Sequence, residues 1–173
     1  MMNLTQLLSH SIEYGLAFSA VMMISFILAA LANPEIWLKD YPPDIRAKFG
    51  PMSPRAVRQR MLVGIPIFLL MIGIIVVSIA QLAQIKGSDP TFIDVFVNVF
   101  VILLVFNFVD LLILDWLIFV TIRPRIIVLP GTEGAAGYSD YGFHLRASFK
   151  GLAGSFVASL LIAGIAALVF AIV

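Results

Sequence analysis

The sequence contains no cysteine, only two histidines and few charged residues. Without cysteine, the chain forms no disulfide bond of its own and supplies no Cys ligand to zinc or to an iron–sulfur cluster. Charged residues make up 12% of the 173 residues, whereas an ordinary soluble domain has about 25%. Ten of the eleven lysines and arginines lie in two segments, 33–60 and 121–150. The long stretches almost free of basic residues are typical of a membrane protein.

Four apolar runs alternate with the two basic segments. Each run is close to or longer than the ~20 residues that span a hydrocarbon core; they cover residues 14–32, 61–83, 95–122 and 151–173. The first run is expected to remain as a helix, because a signal peptide has a basic segment before a shorter apolar core. The sequence therefore predicts an all-α integral membrane protein, one domain over 1–173, with four transmembrane helices at about 13–32, 54–84, 90–122 and 143–173.

The basic residues also predict the orientation of these helices, because cytoplasmic loops carry an excess of Lys and Arg. This rule places the loops 33–53 and 123–142 in the cytoplasm. Both termini and the short loop 84–93, which carries the single remaining basic residue Lys86, are then non-cytoplasmic. We expect the protein in the bacterial inner (plasma) membrane, with membrane lipids as partners.

Basic side chains beside the third and fourth helices are candidates for binding lipid headgroups or phosphate. A basic residue near an anionic membrane surface contributes roughly 1 kcal/mol, and arginine pairs well with phosphate. Topology alone also explains such a bias. The candidates are Arg123, Arg125, Arg146 and Lys150.

The third apolar run differs from the others because it contains the polar residues Asn107, Asp110 and Asp115. On an α-helix Asp110 lies about 60° to one side of Asn107 and Asp115 about 80° to the other. A carboxylate at the bilayer centre costs roughly 2.5–3.5 kcal/mol, so these side chains are not expected to face lipid. They form a candidate intramembrane site for a proton, a cation or a polar ligand, and the alternative is hydrogen bonding between packed helices.

The second cytoplasmic loop is the candidate binding element outside the membrane. Its acidic and histidine side chains could hold a metal ion, but a flexible linker with interfacial tyrosines is the interpretation that we favour, so neither a metal nor any other cofactor is predicted. The glycines lack nucleotide-binding spacing, no nucleophile elbow is present, and no nucleic-acid partner is expected. The candidate residues of this loop are Glu133, Tyr138, Asp140, Tyr141 and His144.

Small residues recur every four positions along the last helix, including Gly154, Ala158, Ser159 and Ala163. Such a stripe lets another helix approach closely. The neighbour is either a helix of the same bundle, which we favour, or the same helix 151–173 of a second copy. A homo-oligomer or a larger membrane complex is therefore a possible assembly.

Three functions remain open from the sequence. The leading hypothesis is a non-enzymatic membrane protein that binds a partner subunit or a lipid through its cytoplasmic loops. The second is a homo-oligomeric proton- or cation-coupled transporter or channel that uses Asp110. The third is a membrane-embedded enzyme on a lipid-like substrate, with Asp115, His144 and Arg146 at the cytoplasmic interface.

Overall fold

The computed structural model describes residues 2–172, and this part of the chain is helical without strands. Four helices are long and apolar enough to cross a membrane, which confirms the predicted number of candidate transmembrane helices. The long helices are α1 (Leu4–Ala32), α3 (Pro54–Lys86), α4 (Phe92–Val109, continued as a π-helix over Asp110–Ile122) and α5 (Tyr141–Ile172), and the short helix α2 is Pro43–Phe49. Short 3-10 turns cover Pro34–Asp40, Arg125–Ile127 and Ala136–Ser139.

Helix α1 begins nine residues before the predicted start at residue 13. A capping box explains this start, because Asn3 and Gln6 exchange hydrogen bonds between side chain and backbone. The added turns are polar in sequence, yet His10 and Ser11 are buried in the bundle. The apolar run therefore marks only the lipid-compatible part of a longer helix.

The four long helices alternate in direction. The start of α1 contacts the end of α3 through His10 and Ser78, and it contacts the start of α4 through Ser11 and Asn98. Helix α5 runs back along α4, with Phe156 against Phe96. The two segments between the long helix pairs, 33–53 and 123–140, consequently lie at one end of the bundle, called here the loop end. That this end is cytoplasmic remains a prediction from the basic residues.

A buried polar cluster joins α1, α3 and α4 at the end opposite the loops. Ser11 Oγ donates to Asn98 Oδ1 at 2.9 Å, Asn98 Nδ2 donates to Ser78 Oγ at 2.9 Å, and His10 Nε2 lies 3.1 Å from the Ser78 carbonyl oxygen. Such bonds between helices satisfy groups that would be costly in hydrocarbon.

An apolar layer fills the middle of the bundle on the loop side of this polar cluster. Phe18 and Met22 of α1 and Val99 and Ile102 of α4 are fully buried. Ile75 of α3 packs in the same layer. Along each helix these residues lie between the polar cluster and the loop end, so the layer separates the two halves of the bundle.

The two loop segments fold together into a cap over the loop end. Tyr41 and Tyr138 are buried side by side in the cap's own apolar core. The Tyr41 hydroxyl donates to the Ile127 carbonyl oxygen at 2.9 Å, and burial raises the pKa of this phenol, which keeps it a neutral donor. The Gly137 N–H donates to Asp44 at 2.8 Å. The two segments pack so closely here that a Cβ atom at position 137 would lie 2.6 Å from Pro42 Cβ. The cap is thus a packed unit rather than the flexible linker favoured from the sequence.

Candidate functional site: an amphipathic cleft

A cavity of about 790 Å³ extends from the loop end of the bundle toward its apolar middle. We call it the cleft. Its walls come from α1, α3, α4 with its π-helical continuation, α5 and the turn 34–40 of the cap. Helix α5 packs along α4 whereas α3 packs along α1, so α3 and α5 form the two sides of the cleft. Its polar lining is Lys39, Asp40, Tyr41, Arg60, Asn107, Asp110, Asp115, His144, Ser148 and Ser155.

Two cations and a carboxylate stand on the α3 side of the cleft. Arg60 Nη1 lies 3.1 Å from Asp40 Oδ2 and donates to the Ile36 carbonyl oxygen at 2.7 Å. The guanidinium also lies 5.8 Å from the centroid of the Trp37 ring, a cation–π distance. Lys39 lines the cleft without a hydrogen-bond or ion-pair partner among residues 2–172. Arg60 is therefore held in place, while Lys39 is free to bind a ligand.

Asp115 and His144 form a pair on the opposite side. His144 Nδ1 lies 2.9 Å from Asp115 Oδ1, and the imidazole is 5% exposed. Its Nε2 is buried and has no hydrogen-bond partner within the described chain. The carboxylate fixes the orientation of the ring and leaves Nε2 as the atom without a partner, and a buried polar atom in that state costs free energy. Such a group points to a ligand that supplies the missing bond.

The π-helix changes the geometry predicted for the intramembrane carboxylates. On an α-helix Asp110 and Asp115 would be about 140° apart, on the two flanks of one broad face. The π-helix closes hydrogen bonds over five residues rather than four, as shown at its end by the Arg123 N–H donating to the Ile118 carbonyl oxygen at 2.9 Å. Residues five apart therefore lie closer to one face, and both carboxylates line the cleft. Asp110 has no hydrogen-bond or ion-pair partner among residues 2–172.

Asn107 joins α4 to α5 at the edge of the cleft. Its Nδ2 donates to the Ser148 carbonyl oxygen at 3.1 Å, and the Ser148 hydroxyl donates to its Oδ1 at 2.5 Å. The helices approach closely here, because a Cβ atom on Gly151 would lie 2.7 Å from Asn107 Nδ2. Asn107 therefore has the helix-packing role that the sequence left as an alternative.

The inner end of the cleft is apolar. Met71 of α3, Leu103 of α4 and Ala158 of α5 line it, and Gly154 leaves room on the α5 side because nothing lies within 4 Å of a Cβ atom placed there. The lining thus changes from charged at the loop end to apolar near the middle of the bundle. This distribution matches an amphiphile whose polar headgroup lies at the loop end and whose hydrocarbon part lies toward the middle of the bundle.

The four basic residues predicted to bind headgroups do not line the cleft. Arg123 is a structural residue instead: its Nη2 donates to the Tyr138 carbonyl oxygen at 2.7 Å and to Ser139 Oγ at 2.8 Å. These bonds hold Arg123 at a φ of +48°, where the π-helix ends before Pro124. Arg146 lies on the surface, 3.6 Å from Asp140. Arg125 and Lys150 are also exposed and remain candidates for contact with headgroups at the membrane surface.

The loop candidates separate into different roles. Asp140 accepts the Phe143 N–H at 2.8 Å and so caps the start of α5, and Glu133 is exposed on the cap. Tyr138 is a core residue whose hydroxyl accepts the Leu129 N–H at 2.9 Å, and the Tyr141 hydroxyl lies 2.9 Å from Thr121 Oγ1. The structure does not bring Glu133, Asp140 and His144 together, and within residues 2–172 no group of three acidic, histidine or cysteine side chains could hold a metal ion.

The sequence did not single out the residues on the α3 side of the cleft. Lys39 and Arg60 counted only toward the orientation of the protein, although both line the cleft. Their segment folds back over the loop end, so two residues that are 21 apart in sequence share one wall. A charged residue within one turn of an apolar run, as Arg60 is, is the signal that could have indicated this role.

Ser148 lies one turn after His144 on α5 and lines the same cleft. Its hydroxyl donates to Asn107 rather than to His144. Ser148 and His144 therefore do not form the hydrogen-bonded pair of nucleophile and base that nucleophilic catalysis requires.

No family model matches the chain, and neither the comparison with characterised proteins nor that with solved structures gives a match.

Proposed function

We propose that this protein binds one membrane lipid in the cleft, with the headgroup at the loop end and the acyl chains toward Met71 and Ala158. The observation that carries this proposal is the change of lining along a single cavity, from charged groups to apolar side chains. A volume of about 790 Å³ falls in the ~300–1,000 Å³ range of ligand sites. Lipid is favoured over a partner subunit because the site is a concave cavity within the bundle rather than a flat surface.

The apolar layer supports binding rather than passage across the membrane. Phe18, Met22 and Ile102 are fully buried between the cleft and the buried polar cluster that contains His10. An ion crossing one copy would have to displace this packing. The transport hypothesis therefore depends on a homo-oligomer. It would be supported if Asp110→Asn abolished proton or cation flux while the oligomer kept its size.

A lipid-modifying enzyme is the second candidate, favoured by the Asp115 and His144 pair. A histidine oriented by a carboxylate is suited to act as a general base. Arg146, the third residue expected in this site from the sequence, lies on the surface instead. The test is lipid mass spectrometry of vesicles with the wild-type protein or with His144→Asn, in which only the wild-type protein should accumulate a product.

Filling the inner end of the cleft tests the binding proposal. In Gly154→Leu the added side chain enters the open space beside Ala158 and occupies the volume of the acyl chains. We expect native mass spectrometry of the mildly solubilised protein to show one retained lipid in the wild type and at least about tenfold less in this variant.

Gly164→Leu is the matched control, because it lies on the same helix, has open space at Cβ and does not line the cleft. It should retain lipid like the wild type. Equal retention of lipid in both leucine variants would contradict the proposal, since binding would then come from the outer surface.

A further inference from the structure

Resting on the proposed function, we infer that the cleft recognises a zwitterionic headgroup with a primary ammonium and a phosphate, that of an aminophospholipid. The inference combines two oppositely charged walls with a buried histidine that lacks one hydrogen bond.

The α3 side of the cleft suits the phosphate. Lys39 has no partner among residues 2–172, and Arg60 keeps donors beyond those used by Asp40 and Ile36. Arginine held by a carboxylate and an aromatic ring is an ordered donor for phosphate oxygens. Asp40 reduces the positive charge of this wall without removing it.

The opposite wall suits the ammonium. Asp110 is a carboxylate without a partner among residues 2–172, and Asp115 uses one oxygen on His144. A carboxylate at this depth is costly unless it is paired. A primary ammonium supplies three N–H donors, which allows it to bridge Asp110 and Asp115.

His144 is an independent indication of a ligand. The imidazole is 5% exposed, lines the cleft, and has no partner at Nε2 in the described chain. Asp115 lies against Nδ1, which leaves Nε2 as the ring nitrogen that can accept a hydrogen bond from a ligand. An ammonium N–H between the carboxylates completes the missing bond, whereas a quaternary ammonium has no N–H to offer.

The charge balance disfavours an anionic lipid. The cleft is lined by the basic side chains Lys39 and Arg60 and by the acidic side chains Asp40, Asp110 and Asp115, so acidic groups outnumber basic ones. A headgroup without net charge adds nothing to this excess, whereas an anionic one increases it in a region of low dielectric. The preferred order is therefore primary ammonium, quaternary ammonium, then anionic headgroup.

Competition between lipids tests the inference. Full-length protein in micelles is offered equal amounts of phosphatidylethanolamine, phosphatidylcholine and phosphatidylglycerol with the same acyl chains, and native mass spectrometry reports which is retained. We expect the wild type to retain phosphatidylethanolamine most. Asp110→Asn should reduce its preference over phosphatidylglycerol about tenfold, and Asp110→Glu should largely keep that preference.

Charge-matched variants outside the cleft serve as controls. Glu133→Gln removes an exposed carboxylate of the cap and should leave the preference unchanged. Lys39→Gln should weaken retention of all three lipids, because all three carry a phosphate, whereas Arg58→Gln on the exposed side of α3 should not.

Equal retention of phosphatidylglycerol and phosphatidylethanolamine, or a preference that survives Asp110→Asn, would overturn the inference. The proposed function fails separately, by unchanged lipid retention in Gly154→Leu. If Gly154→Leu loses the lipid while the wild type retains all three lipids equally, the headgroup inference alone is rejected.

Discussion

At the scale of single residues, one wall of the cleft depends on the pair of Asp115 and His144, which the sequence brought together only in one of three hypotheses. The enzyme hypothesis drawn from the sequence placed Asp115 and His144 in one site together with Arg146. The structure places His144 in the first turn of α5, where its Nδ1 lies 2.9 Å from Asp115. Sequence reasoning identified the polar residues because charges are rare in apolar runs, but a pair requires knowledge of which helices are neighbours.

The Asp115 and His144 pair should show energetic coupling. Each single alanine variant leaves the other side chain without its partner, whereas the double variant removes both groups, so the double variant should lose less stability than the sum of the two singles. We expect a coupling energy of about 1–3 kcal/mol. Equilibrium unfolding in mixed micelles would measure it, and additive losses would show that the pair contributes nothing to the folded state.

At the scale of elements, the four spanning helices could be predicted because each requires a long apolar run, and charge placement defines the ends of such runs. The π-helical half of the third span could not be predicted from the sequence, since an α-helical periodicity was the only available assumption. Its effect on the cleft is to change the angle between Asp110 and Asp115 around the helix axis. The early start of α1 was missed for a related reason, since buried polar residues do not show as an apolar run.

The contact between α1 and α4 depends on a glycine. A Cβ atom on Gly15 would lie 2.8 Å from Val105 Cβ, and valine is stiff at χ1. Gly15→Ala should therefore lower the free energy of unfolding by about 1–3 kcal/mol. Val105→Ala in the same chain removes the two methyl carbons at 3.1 Å but keeps the Cβ atom at 2.8 Å, so it should restore only a small part of that loss.

Gly73→Ala is the control for this contact, because nothing lies within 4 Å of a Cβ atom at that position in α3. It should be neutral or stabilising, since alanine is the better helix former. The measurement is the midpoint of thermal unfolding in detergent. A Gly15→Ala protein as stable as Gly73→Ala would show that α1 and α4 do not approach as closely as described.

At the scale of the whole molecule, the arrangement of charges predicted the topology, while the cleft arises from the tertiary packing. The sequence places the two basic segments on one side, and the structure brings both to one end of the bundle as a packed cap. The cleft forms because α3 and α5 pack on α1 and α4 rather than on each other. No local pattern encodes that choice, so neither the cleft nor the role of Lys39 was foreseen.

The predicted orientation can be tested directly, because the natural chain has no cysteine to interfere. Ser88→Cys lies in the exposed turn between α3 and α4, and Glu133→Cys lies on the exposed surface of the cap. In intact cells a membrane-impermeant thiol reagent should label position 88 and reach position 133 only after the membrane is permeabilised. The reverse pattern would show that the cap faces outward.

Photocrosslinking measures most directly whether a lipid occupies the cleft. The protein is reconstituted with phosphatidylethanolamine that carries a diazirine in its acyl chain, irradiated and digested, and the labelled residues are mapped by mass spectrometry. We expect adducts on cleft residues, chiefly Met71, Leu103 and Ala158, that disappear in Gly154→Leu and persist in Gly164→Leu. Adducts confined to the exposed outer surface, such as Leu161 and Ile165 of α5, would contradict it.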